Sequence, residues 1–301
     1  MNDIPEYPNW KEIQEINYGW SGDKKYYIKD IQENEYLLRL SDKQQVEQKE
    51  KEFQFIKAVG LAHPNLYLQR AISSGFCNGG ESYYQLLQWV TGIPLEEELK
   101  RSSEQEQYQL GIQAGELLCQ LHQTSIEANS FDWEEKKSKI KKRLEKYQES
   151  RFYQKEDQSI IDFVLNNLNL ISNHPATFCH GDYHVGNMVY HQSQIGIIDF
   201  NRCGIDDPYD DFYKTQSFDA EISPFFAKGK IDGYFNQEVP TDFWISFKIY
   251  NLYISLFSLL WADRFGEEDV IVMQKIKDRT IQDYPENQII PNWYLAHFGQ
   301  E

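Results

Sequence analysis

Hydrophobic and polar positions follow two rhythms along this chain. Through the first ninety residues, short apolar stretches alternate with polar positions: Ile13 to Tyr18, Lys24 to Lys29, Tyr36 to Leu40, Ala71 to Cys77 and Ser82 to Val90. A period near two predicts β-strands. Asn78-Gly79-Gly80, between the last two, predicts a tight hairpin. One stretch departs from this rhythm. Asp42 to Val59 sets Val46, Phe53, Ile56 and Val59 at helical spacing among Lys, Gln and Glu, which predicts one amphipathic helix ending at Gly60. Gln88-Trp89-Val90-Thr91-Gly92-Ile93-Pro94 then predicts a connector.

Beyond Pro94 the rhythm is mostly helical. Ser103, with Glu106 three residues later, predicts a capping box opening a helix to His122. Trp133 to Asn173 predicts two helices broken near Ser150 to Asp157, and Thr177 to Asn201 returns to loop and strand. Two or three long helices are expected between Thr241 and Asp283. The expected fold class is α+β. Residues 1–90 form a small antiparallel sheet lobe with one helix, residues 91–301 a larger, mainly helical lobe, and the hinge lies near 88–94.

Composition narrows the class. The chain has 301 residues, enough for one large domain or two modest ones. Acidic residues outnumber basic ones by 47 to 30, a net charge of −17. Such a surface repels nucleic acid and anionic membranes, so neither is expected as a partner, and it favours cationic ligands. The four cysteines show no C-x-x-C spacing, which argues against a zinc ribbon or redox pair and for a reduced, cytoplasmic protein. The N-terminal residues lack the basic and apolar regions of a signal peptide. Phe243 to Ala262 is apolar enough to suggest a membrane span. Lys248 and Asn251 near its middle make it a buried helix instead.

The chemistry concentrates in Cys179 to Asn201. Asp182 and Asn187 are spaced D-x-x-x-x-N, and an apolar run with a central turn leads to Ile197-Ile198-Asp199-Phe200. Phosphoryl transfer needs these parts: a carboxylate to orient a hydroxyl and accept its proton, then an amide and a carboxylate to hold Mg²⁺ on phosphates. Upstream, Gly19-Trp20-Ser21-Gly22 lies between two predicted strands. It is either a plain hairpin turn or a loop whose N–H groups cover phosphates. In Tyr36 to Leu40, strand alternation sets Arg39 opposite Leu38 and Leu40, so the charge must lie at an edge or face an anion.

These parts, in this order, resemble the aminoglycoside phosphotransferase and choline kinase superfamily, the small-molecule branch of the protein-kinase-like fold. The resemblance rests on His180-Gly181-Asp182 with Asn187, then Ile198-Asp199, then Asp206-Asp207-Pro208-Tyr209-Asp210. The supporting order of elements runs from residue 13 to 265. It implies a bilobal, Mg²⁺-dependent kinase using ATP or GTP as phosphate donor. Asp182 is then the catalytic aspartate, Asn187 and Asp199 the metal ligands, and His180 a structural histidine. Gly19, Ser21, Gly22 and Asp23 become the phosphate loop, and Gln88 to Val90 the hinge that meets the purine. Asp210 becomes the acid that braces the catalytic loop. The family's usual strand lysine is here Arg39. Its implied partner on the helix is Glu52, with Glu50 or Glu47 as alternatives.

The implied substrate is a small, hydroxylated, cationic molecule, first an aminoglycoside-type antibiotic, second a metabolite of the choline, homoserine or sugar class. Asp206, Asp207, Asp219, Glu221, Glu267, Glu268 and Asp269 are candidates to line an electronegative pocket. Trp244, Tyr250, Tyr253, Trp261 and Phe265 either face a quaternary ammonium or form core. His184 either meets the acceptor or packs. A metal site on His180, His184 and His191 is disfavoured by the intervening glycines, and no G-x-S-x-G supports a hydrolase. A nucleotide-binding pseudokinase is the rival that Arg39 raises. A protein kinase is disfavoured because Asn201, not glycine, follows Asp199-Phe200.

Overall fold

The computed structural model describes residues 1–17, 22–125, 131–172, 174–285 and 288–296. In chain order, β1 (Trp10–Ile16), β2 (Lys24–Asp30) and β3 (Glu35–Asp42) lead into α1 (Val46–Ala62), β4 (Ala71–Cys77), β5 (Ser82–Gln88) and the short β6 (Ile93–Pro94). Helices α2 (Leu95–Leu99), α3 (Glu104–His122), α4 (Trp133–Gln148) and α5 (Gln158–Asn167) follow. Next come β7 (Thr177–Cys179), β8 (Met188–His191), β9 (Gln194–Ile197) and β10 (Gly204–Asp206). The chain closes with α6 (Ala220–Ile222), α7 (Pro224–Tyr234), α8 (Thr241–Ala262), α9 (Glu267–Asp283) and α10 (Asn292–Leu295). The α+β class expected from the sequence is the one observed.

The chain divides into two compact units. One comprises Met1–Leu95, His180–Asp182 and Gly186–Gly204; the other comprises Glu96–Cys179, Tyr183–Val185 and Ile205–Glu301.

The first unit is built on an antiparallel sheet of order β1-β2-β3-β5-β4. Alternation sorts its faces. Ile28, Leu38, Leu40, Tyr84 and Leu86 point to one side and bury with Ile4 and Cys77. The opposite face carries Arg39 and its cross-strand neighbour Gln85, both fully buried beside α1. The charge in the central strand is therefore covered rather than at an edge. Helix α1 runs two residues past Gly60, the expected stop. Arg70 explains the extension: its guanidinium donates to the carbonyls of Gly60, His63, Pro64 and Leu66, satisfying groups that a helix end leaves unpaired. Further along the chain, β8 pairs with β6 on one side and β9 on the other, and Ile197 exchanges main-chain bonds with the Tyr67 to Gln69 segment. These bonds draw residues 186–204 into this unit.

The second unit is helical. Ser103 caps α3 through both bonds of the expected capping box. Helices α4 and α5 are separated near Ser150 to Asp157, as the pattern predicts. Helix α7 does not show in the hydrophobic pattern. It packs on α3 through glycines: a Cβ at Gly115 would lie 2.1 Å from the Lys230 carbonyl, and one at Gly233 would lie 2.3 Å from that of Ile112. The two backbones touch because neither presents a side chain there. Helix α8 is long and apolar enough to cross a membrane by length and composition, yet 72% of its most apolar window is buried in the protein. Lys248 within it donates to the Gln288 carbonyl at 2.7 Å.

Candidate active site

The candidate site grows from the loop after β7. Gly181 has φ +78°, and a Cβ there would lie 2.3 Å from the Arg202 carbonyl. Positive φ and close approach both demand glycine. This turn sets His180 and Asp182 on either side. His180 is fully buried and packs on Phe200, ring centroids 4.5 Å apart. Its Nδ1 accepts the Asp182 N–H at 3.2 Å, so the proton sits on Nε2, which donates to the Ile198 carbonyl at 3.0 Å. A ring held from both sides positions its neighbours and is unsuited to carrying protons.

Asn187 closes a short 3₁₀ turn just before β8. Its Nδ2 donates to the Asp182 carbonyl at 2.9 Å, and its own carbonyl accepts the Ile198 N–H at 3.1 Å. Strands β8 and β9 meet at Gln192 and Ser193, both at positive φ, a tight turn made without glycine. Asp199 follows β9 with φ +62°, a conformation unusual for a residue with a side chain. Hydrogen bonds thus link Asp182, Asn187 and Ile198 into one unit, with Asp199 at its end. Arg202 brings its Nε to 3.9 Å from an Asp182 carboxylate oxygen.

On β3, Arg39 has one part in a hundred of its surface exposed. Its Nη1 donates to Glu52 on α1 at 2.5 Å. The two alternatives are placed elsewhere. Glu50 accepts from Tyr83 and Ser74, and Glu47 is exposed in the first turn of α1. The other edge of the guanidinium, Nη2 and Nε, faces the Asp23 carboxylate at 2.7 and 3.2 Å. Lys49 Nζ reaches the same oxygen at 2.7 Å, and Ser41 Oγ donates to the other at 2.8 Å. Burial opposes the Arg39 charge, but Glu52, Asp23 and Asp199 outweigh it and raise its pKa. Burial likewise disfavours the Asp23 carboxylate, yet Arg39 and Lys49 hold its pKa below the ordinary value.

Among the expected phosphate-loop residues, Gly19 and Ser21 lie outside the described residues. A Cβ at Gly22 would meet open space. The Asp23 carboxylate accepts from Arg39, Lys49 and Ser41 of its own chain. At the expected hinge, the Gln88 N–H bonds the Arg70 carbonyl, and the Trp89 N–H bonds that of Glu35. Val90 is buried.

Tyr183 to Val185 belong to the second unit and are braced there by Asp219, which the sequence reading did not assign this role. Asp219 accepts the Val185 N–H at 2.8 Å and pairs with Lys230, and Lys230 reaches the Tyr183 carbonyl at 3.2 Å. Both side chains are fully buried. Asp210, the expected brace, instead pairs with Lys136 at 2.6 Å. The only sequence signals for the true brace are charges inside the helical runs around Asp219 and Lys230.

The expected acidic pocket also resolves into internal pairs. Asp206 pairs with Lys136, Asp207 with His174 and Tyr250, Glu221 with Arg279 and Glu267 with Arg151. Glu267, Glu268 and Asp269 form the first turn of α9, where the helix dipole favours negative charge. Trp244, Tyr250 and Tyr253 are core, while the Trp261 and Phe265 rings meet at 4.6 Å with their planes tilted by 48°. His184 stacks on Phe218, ring centroids 5.1 Å apart and planes 29° from parallel.

Among the described residues, the one group of metal-ligating composition is His122, Cys179 and Asp211, without His180, His184 or His191. Both His122 nitrogens are engaged, by Tyr234 at 2.8 Å and Asp211 at 3.1 Å. Burial pushes the Cys179 thiol up, away from the thiolate a metal requires.

Among curated proteins, none matches the chain in sequence. Solved structures match in fold. The gentamicin complex of APH(2")-IIa is 15% identical with a TM-score of 0.66, over 95% of this chain and 94% of that one. The GDP complex of wild-type aminoglycoside 2'-phosphotransferase-IIIa is 14% identical with a TM-score of 0.70, over 91% and 94%. Amicoumacin kinase hAmiN, in complex with AMP-PNP, Ca²⁺ and Ami, is 14% identical with a TM-score of 0.65, over 94% and 91%. The architecture is thus the protein-kinase-like one of aminoglycoside kinases. A family model described as "phosphotransferase enzyme family" matches residues 12–244, which include Arg39, Asp182, Asn187 and Asp199. On that match, over well more than half its length, the chain belongs to the phosphotransferase enzyme family.

Proposed function

We propose that this protein transfers the γ-phosphate of ATP or GTP to a hydroxyl of a small, cationic molecule, first an aminoglycoside-type antibiotic, in the cytoplasm. The observation that carries the reading is the hydrogen-bonded set of Asp182, Asn187 and Ile198-Asp199, within the same unit as the Arg39–Glu52 pair. Asp182 orients the acceptor hydroxyl and takes its proton as the new P–O bond forms and the γ-phosphorus parts from the bridging oxygen, which leaves with the nucleoside diphosphate. His180 holds the Asp182 main chain by accepting its N–H. Arg39, kept charged and aimed by Glu52, meets the phosphates.

The donor set suits Mg²⁺. Asn187 commits its amide nitrogen to the Asp182 carbonyl, so its oxygen is the ligating atom, and Asp199 adds a carboxylate. Hard oxygen donors are what Mg²⁺ takes, and when bound it neutralises charge on the phosphates. The chain's surplus of negative charge supports a cationic acceptor. So do the named neighbours, one of which is a gentamicin complex.

The test is a turnover screen with ATP and GTP in Mg²⁺ against aminoglycosides, choline-like alcohols, homoserine and sugars. Phosphorylated acceptor is the expected product, and Asp182→Asn abolishes it while nucleotide still binds. Undiminished turnover by that variant overturns the role of Asp182. Nucleotide binding without any phosphorylated acceptor favours the pseudokinase reading.

A further inference from the structure

The Arg39 guanidinium presents two usable edges. Nη1 takes Glu52. The Nε and Nη2 edge, the fork with which arginine grips carboxylates and phosphates, is covered by Asp23. Lys49 and Ser41 complete a cradle around that same carboxylate. Four donors therefore converge on one oxyanion, and the Asp23 side chain is only 3% exposed. Arg39 and Ser41 stand on β3 and Lys49 on α1. Asp23 lies in a bend just before β2, outside any regular element. The donors are fixed by secondary structure, and the acceptor is the part that a bend can withdraw. Asp199 belongs to the same unit, and its charge is among those that raise the Arg39 pKa.

We propose that Asp23 is a built-in stand-in for a nucleotide phosphate, occupying an anion cradle whose second cation is Lys49. The proposal rests on the phosphotransfer reading above. A phosphate that takes the Nε and Nη2 edge of Arg39 must displace Asp23, so the chain competes with its own ligand. In the nucleotide-free state Asp23 and Glu52 together balance the two buried cations, whose charge would otherwise be costly. In the bound state a phosphate oxygen replaces Asp23, with Arg39 still held by Glu52. Lys49 supplies the compact ammonium that the family's usual strand lysine would bring and that Arg39 does not.

Titration calorimetry with ATP, GTP and the corresponding nucleosides, on the full chain in Mg²⁺, tests this. Asp23→Asn removes the competing charge and leaves the cradle, so nucleotide Kd falls about tenfold while nucleoside Kd is unchanged. Lys49→Met raises nucleotide Kd by about tenfold, again with nucleoside unaffected. A merely structural role would move nucleoside and nucleotide together. Unchanged or weaker nucleotide binding by Asp23→Asn overturns the inference while the phosphotransfer reading stands. A wild type that binds neither ATP nor GTP overturns that reading and the inference with it. A crystal structure of the wild-type protein with nucleotide and Mg²⁺ decides the matter without any variant. Asp23 parted from Lys49, with a phosphate oxygen in its place, supports the stand-in. A retained Asp23–Lys49 contact overturns it.

Discussion

Asn187 donates its side-chain amide to the main-chain carbonyl of Asp182 at 2.9 Å, closing the ring that the D-x-x-x-x-N spacing describes. The bond fixes two things together: the path of the chain at Asp182, and which atom of Asn187 faces away from it.

Asn187→Ala removes both the bond and the oxygen donor. The expected result is a fall in kcat of about 100-fold, with a raised Mg²⁺ requirement and little change in melting temperature. Steady-state kinetics across a Mg²⁺ titration measures it. Unaltered kcat and Mg²⁺ dependence would remove Asn187 from the site.

Asp219 and Lys230 form a buried pair whose rupture leaves a charge stranded. Asp219→Ala is expected to cost about 3–5 kcal/mol of stability, and adding Lys230→Met should restore part of that loss. Urea unfolding of the two single variants and the double variant gives the coupling. Additive losses would show that the pair does not act as one.

Gly115→Ala should force α3 and α7 apart, since the new carbon would meet backbone, at 2.1 Å from the Lys230 carbonyl and 2.6 Å from the Tyr234 nitrogen. A loss of about 1–3 kcal/mol or more is expected. Gly22→Ala, with nothing within 4 Å of its added carbon, is the control and should stay within about 0.5 kcal/mol. Equal effects in thermal melts of the two variants would contradict the close helix contact.

Asp23 contributes a pH-dependent part of stability. Burial opposes its charge, but Arg39 and Lys49 hold its folded pKa below the ordinary 3.8. A depressed carboxylate stabilises the fold fully above its unfolded pKa, and that share disappears as the pH falls through the folded one. Unfolding free energy should therefore drop as the pH is taken below about 3.8, more steeply in the wild type than in Asp23→Asn. Urea midpoints against pH measure the two slopes, and parallel slopes would deny the linkage.

Local pattern carried far in this chain. The strands before residue 90, the capped α3 and the broken helix between Trp133 and Asn173 all follow from periods and caps spanning a few residues. Those signals are short-range, so folding need not be known to read them. The miss at Gly60 came from Arg70, ten residues away, whose guanidinium satisfies the carbonyls that a helix end exposes. Helix α7 was missed because glycines and lysines blur its apolar face, and its packing uses bare backbone.

The candidate site divides the same way. Its order of Asp182, Asn187 and Asp199 could be read from the sequence alone, because turn geometry ties those residues together over a short span of chain. The Arg39 partner was legible only through the family resemblance, which put Glu52 first, the residue that Arg39 meets in the structure. As letters Glu47, Glu50 and Glu52 look alike, and it is the face of α1 laid against β3 that selects Glu52. Likewise, folding alone buries Asp23 between Arg39 and Lys49, and makes Asp219 rather than Asp210 the brace. A charge acquires its partner from depth and direction, and those exist only after distant segments have packed.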